Sequence, residues 1–127
     1  VQNAYTALWT EYQELTSSIP LLNVIRRILQ YYFLELCGYQ GSNIRDIILK
    51  KNKSEFIKKR ADGTIDDTDY HLASSMLSYI DNECSFIDGF NLVQEAVDPE
   101  QYRKVMKKIF EKLEQSQHYR MMTHEKD

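Results

Sequence analysis

The stretch that decides the fold is Leu21-Leu22-Asn23-Val24-Ile25-Arg26-Arg27-Ile28-Leu29-Gln30-Tyr31-Tyr32-Phe33-Leu34-Glu35-Leu36-Cys37. Leu22, Ile25, Ile28, Leu29, Tyr32, Phe33 and Leu36 recur at three- and four-residue steps, the spacing that a helix brings round to one face. Asn23, Arg26, Arg27 and Gln30 are the polar minority, which leaves so little surface for water that this helix belongs at the centre of a domain. Gly38 follows as a C-terminal stop.

On the N-terminal side, Ala4, Leu8, Trp9, Tyr12 and Leu15 predict a helix over about 3–16, interrupted by Ser17-Ser18-Ile19-Pro20. On the other side, Ser42 and Asn43 predict the start of a third helix through Ile44, Ile47 and Ile48 towards Phe56 and Ile57. The stretch Lys50-Lys51-Asn52-Lys53-Ser54 is where that helix would break. Ala61 to Asp67 reads as a polar loop, and Tyr70, Leu72, Ala73, Met76, Leu77 and Ile80 mark a fourth helix begun by Asp67 or Thr68. Cys84 to Asn91 reads as irregular. Asp98-Pro99-Glu100-Gln101 is the clearest local signal: a capping Asp, Pro at the first helical position, and Gln placed to return a hydrogen bond. Tyr102, Val105, Ile109, Phe110 and Leu113 line one side of the helix that follows. Arg103, Lys104, Lys107, Lys108, Glu111 and Lys112 are assigned to solvent, and the helix runs to about Gln115.

These segments predict an all-α bundle of about five helices, a single domain over 1–127 with a tail at 116–127. Composition agrees: 127 residues with 43% apolar and 28% charged residues suit one globular domain. Only four Gly and two Pro interrupt the chain, which disfavours collagen-like, disordered and sandwich architectures. Cys37 and Cys84 are too few for a disulfide scaffold, so a reducing, cytoplasmic setting is expected. No apolar run approaches the ~20 residues needed to cross a bilayer, so no membrane partner is expected. The chain begins at Val1 with no initiator Met, and a fragment of a longer protein is the expectation.

The chemistry open to these residues is narrow. There is no Gly-x-x-x-x-Gly-Lys-Ser/Thr loop for a nucleotide triphosphate. His71, His118 and His124 lie on different segments with no carboxylate at ligand spacing, so no metal site is expected. Arg26, Arg27 and Gln30 fall within one turn of the central helix. They either pair with carboxylates such as Asp46 or Glu35 or snorkel to water, or they form an anion site, because a guanidinium fork suits a phosphate. Lys50, Lys51 and Lys53, with Lys58, Lys59 and Arg60, are either a solvated face or an electrostatic footprint for RNA. The formal net charge of -3 does not choose between them, and solvation is the simpler reading. In the tail, Tyr119, Met121 and Met122 want burial against something, which makes them candidate docking residues.

Tyr5 to Tyr12, Asn23 to Phe33 and His118-Tyr119-Arg120-Met121-Met122, taken in order, resemble the C-terminal region of a bacterial P-loop ATPase family. That family is SMC- or ABC-like in its ATPase and includes anticodon nucleases and related anti-phage defence proteins. The Asn-x-x-Arg-Arg-Ile-Leu helix carries most of the likeness. The resemblance implies that the nucleotide-binding elements, with ATP and Mg, belong to a preceding part of the parent protein and that this segment holds no cofactor.

The anticodon nucleases are similar to HEPN-type ribonucleases, which cut RNA without metal using an Arg, an acidic residue one turn later and a distant His. Arg26 matches the Arg, but the acidic position is Gln30, and Cys84-Ser85-Phe86-Ile87-Asp88 stands where the family often has a Ser-His pair. An amide has no proton to exchange near neutral pH and a hydroxyl cannot replace imidazole, and each loss removes about 10²- to 10⁴-fold in rate. His71 is the reserve candidate for the missing base. The resemblance therefore implies a non-catalytic helical domain that packs on the ATPase portion or its dimer mate and docks an effector nuclease, as in Septu-like systems. Two alternatives stay open: a HEPN-like ribonuclease acting on tRNA, and a free-standing helical adaptor.

Overall fold

A computed structural model describes residues 3–78, 80 and 97–125, and within them the chain is an all-α bundle with one small hairpin. The order is α1 (Ala4–Glu14), α2 (Ser18–Leu29) continuing without a break into a π-helical segment (Gln30–Leu36), then α3 (Gly41–Arg45) continuing into a second π segment (Asp46–Lys51). A 3-10 turn (Lys53–Phe56) leads to β1 (Lys58–Lys59) and β2 (Ile65–Asp66), followed by α4 (Thr68–Leu77), α5 (Pro99–Lys112) and α6 (Ser116–Thr123).

The central helix lies where its pattern predicts. Leu21, Leu22, Ile25, Ile28, Leu29 and Phe33 are almost wholly removed from water. They pack with Trp9 and Tyr12 of α1, Ile44 and Ile48 of the third helical segment, Met76 and Leu77 of α4, and Tyr102, Ile109 and Phe110 of α5. At roughly 1.5–3 kcal/mol for each fully buried large apolar side chain, this cluster dominates the favourable side of folding. Gly38 ends the π segment at φ 77°, where a side chain would be strained, and the amide of Tyr39 reaches back to the carbonyl of Phe33 at 2.9 Å.

Several expectations are corrected. The interruption after α1 is there but ends sooner than Pro20: it spans Leu15, Thr16 and Ser17, because α2 starts at Ser18 and takes Pro20 into its first turn, where no intrahelical N–H is needed. The third helix starts at Gly41, with Gln40 at the N-cap position but giving no side-chain capping bond and Ser42 and Asn43 inside the helix, and it breaks at Asn52 within the anticipated stretch. Ala61 to Asp67 is not all loop: it turns an antiparallel hairpin in which Lys58 faces Asp66 and Lys59 faces Ile65. Asp98 does cap α5, accepting from the amide of Glu100 at 3.0 Å. Gln101, however, donates across to Asp69 of α4 at 3.0 Å instead of returning to its own cap. The 116–127 tail is not a loose end, since α6 is an ordered helix docked on α1 and α5. The Cys84–Asn91 stretch lies outside the described residues.

Candidate functional site

The central helix directs its two adjacent arginines to different places. Arg26 is half-buried and donates through Nε at 3.1 Å and Nη2 at 3.0 Å to the carbonyl of Ser75, and through Nη2 at 3.0 Å to Ser78 Oγ. Ser75 lies in the last turn of α4 and Ser78 is its C-cap. The final carbonyls of a helix have no intrahelical donor and carry the negative end of the helix dipole, so a guanidinium satisfies both needs. Tyr102 of α5 faces the same cation: burial pushes its phenol up, and Arg26 opposes that rise. Arg26 thereby ties α2 to α4 beside α5. The hydroxyls of Ser75 and Tyr102 are themselves buried without a hydrogen-bond partner among the described residues.

His71, the reserve base, stands near the other end of α4. It is exposed, and its Nε2 lies 3.1 Å from Asp67 Oδ2. Arg26 grips the last turn of this ten-residue helix while the His71 side chain turns towards the first, so the two are not brought together. Gln30, the position of the missing acid, opens the π segment and lines a groove against α1 beside Arg27.

Lys50, Lys51 and Lys53 do gather on one surface, together with Ser54 and Ile57. Asp46 Oδ1 sits 4.0 Å from Lys50 Nζ and Oδ2 sits 3.5 Å from Lys51 Nζ, and Lys53 Nζ lies 5.2 Å over the Tyr70 ring. Lys58 and Arg60 have acidic neighbours in Asp69 and Asp66. Acidic side chains are thus interleaved with this basic face, and the exposed pairs among them contribute little.

The tail candidates divide. Tyr119 is only 5% exposed and its hydroxyl lies 2.7 Å from that of Tyr12, so it belongs to this chain's own core and not to a docking surface. Met122 is partly buried against the same core. Met121 is 62% exposed and remains on the outer face of α6.

The residue that sequence reading passed over is His118. It stacks on Tyr32 with ring centroids 3.9 Å apart and planes 8° from parallel, and its Nε2 lies 2.6 Å from the hydroxyl of Tyr5. Tyr32 in turn donates to Gln115 Oε1 at 2.5 Å. Burial lowers the His118 pKa from its ordinary value, which favours the neutral ring. The neutral ring can accept a proton bond from Tyr5 while lying flat among aromatics, an arrangement that fastens α6 to α1 and the π segment. Its separation of 113 positions from Tyr5 left no local pattern to find it by.

Among the described residues no group of three or more His, Cys, Asp or Glu is placed to share a metal ion, and no helix is long and apolar enough to cross a membrane. Comparison with protein-family models, curated proteins and solved structures finds no match.

Proposed function

We propose that this chain is a non-catalytic helical domain of a bacterial anti-phage defence ATPase, one that packs on the ATPase portion of the same protein or on its dimer mate and docks a partner effector nuclease. ATP and Mg would be held by that ATPase portion, and Met121 on the outer face of α6 is offered to the partner. The observation that supports this reading is the use made of Arg26. Its guanidinium is spent on the carbonyl of Ser75 and the hydroxyl of Ser78, while His71 is engaged by Asp67 elsewhere on the same helix. A metal-independent ribonuclease needs a base and an acid within reach of one phosphate, and neither of these groups stands beside the other.

The coding sequence upstream of Val1 tests the reading cheaply. A phosphate-loop motif in the same open reading frame is the expected result, and a frame without one would favour a free-standing adaptor. In the full-length protein, Met121→Asp is expected to reduce co-purification of the nuclease encoded beside it by about tenfold or more, the loss typical of a buried hydrophobic anchor. Unchanged co-purification would remove α6 from the docking surface.

A further inference from the structure

Arg27, Tyr31 and Glu35 follow one another at four-residue steps along α2 and its π continuation, and all three are exposed, so they form a row on the outer side of the central helix. The row, with Leu36, makes one wall of an open groove of about 690 Å³, and Ala4 and Leu8 of α1 contribute to the other. Neither the Arg27 nor the Glu35 side chain has a hydrogen-bond or ion-pair partner among the described residues. Tyr31 is 39% exposed and Leu36 57% exposed, which places uncovered apolar surface between and beside the two charges.

A row with a cation at one end, an anion at the other and an aromatic ring midway is complementary to itself when reversed. We propose that this row is the contact between two copies of the chain, antiparallel about a two-fold axis near Tyr31, with Arg27 of each copy meeting Glu35 of the other. Two-fold symmetry makes each contact occur twice, so both charges find partners at once. Exposed ion pairs contribute little individually, so the charges select register and partner while Tyr31, Leu36 and Leu8 supply the apolar centre. The patch is small, which makes the dimer a weak one, of the class that buries less than a standard interface. The inference stands apart from the docking reading, which uses α6.

Sedimentation equilibrium of the chain at low salt, from roughly 10 μM to roughly 1 mM, brackets the affinities of such interfaces. A reversible monomer–dimer equilibrium that weakens as salt is raised is the expected result. Arg27→Glu and Glu35→Arg each place two like-charge contacts in the dimer and should weaken it about tenfold or more. The combined variant restores opposite signs and should return the dissociation constant to within about threefold of the original. Because both side chains are exposed and have no partner among the described residues, circular dichroism of all variants should match. A monomer over the whole range, a dimer indifferent to both reversals, or a double variant as weak as the singles would overturn the proposal. The Met121→Asp variant should leave the dimer unchanged.

Discussion

At the end of α1, Arg103 reaches from α5 to the carbonyl of Tyr12 through Nε at 3.1 Å and Nη2 at 2.8 Å and to the carbonyl of Leu15 at 2.5 Å, while its Nη1 pairs with Glu100. At the end of α4, Arg26 reaches from α2 to one carbonyl and one hydroxyl. Both clamp a helix C-terminus with a guanidinium from another helix, and the first also spans a second carbonyl and pairs with Glu100. Sequence alone puts Arg103 among solvated lysines and leaves Arg26 between a carboxylate pair, a snorkelling cation and a phosphate ligand, and the structure gives the two one task. A buried or half-buried arginine is therefore not by itself a sign of a substrate.

Removing the Arg103 clamp should do large damage. Arg103→Met leaves two carbonyls short of a charge-assisted donor and is expected to cost about 3 kcal/mol, lowering the melting temperature by about 10 °C for a domain of this size. Thermal unfolding checks it, and a shift below about 3 °C would mean that water replaces the guanidinium freely. Arg26→Met should cost about 2 kcal/mol, and Arg26→Lys should recover only part of it, because an ammonium cannot make the forked contact.

The α6 joint sharpens the same contrast, since it depends on a ring that is held neutral. Because burial depresses the His118 pKa in the folded chain, the unfolded chain binds the proton first as pH falls. The His118 contribution to stability should be flat above the ordinary histidine value of about 6.5 and decline below it until the folded ring also titrates. In His118→Gln the histidine contribution to that decline should disappear, which denaturant melts between pH 5 and pH 8, at roughly one-unit steps, would measure. Arg27→Met is expected to change monomer stability least, within about 0.5 kcal/mol, because its side chain is exposed and clamps nothing among the described residues.

What could be read from sequence was what is written locally. The start of α5 is a short-range code, so Asp98-Pro99 gave it away, and the central helix announced itself by the spacing of Ile25, Ile28, Leu29 and Phe33. The change from α to π at Gln30 was hidden, because over seven residues the wider turn leaves nearly the same apolar pattern. The hairpin was hidden because only two residues on each side pair. Candidate residues fared least well. Arg26 and Arg103 bond to backbone carbonyls of remote segments, which every sequence offers, and Tyr5, Tyr12, His118 and Tyr119 meet only after α6 folds back on α1.

Whether Arg26 is a clamp on α4 or a phosphate ligand is decided most directly by incubating tRNA, in the presence of chelator, with the original chain and with Arg26→Met, while following the melting temperature of both. Intact tRNA in both reactions, with the variant melting lower, is the predicted result. Cleavage by the original chain that vanishes in a variant of unchanged melting temperature would contradict it.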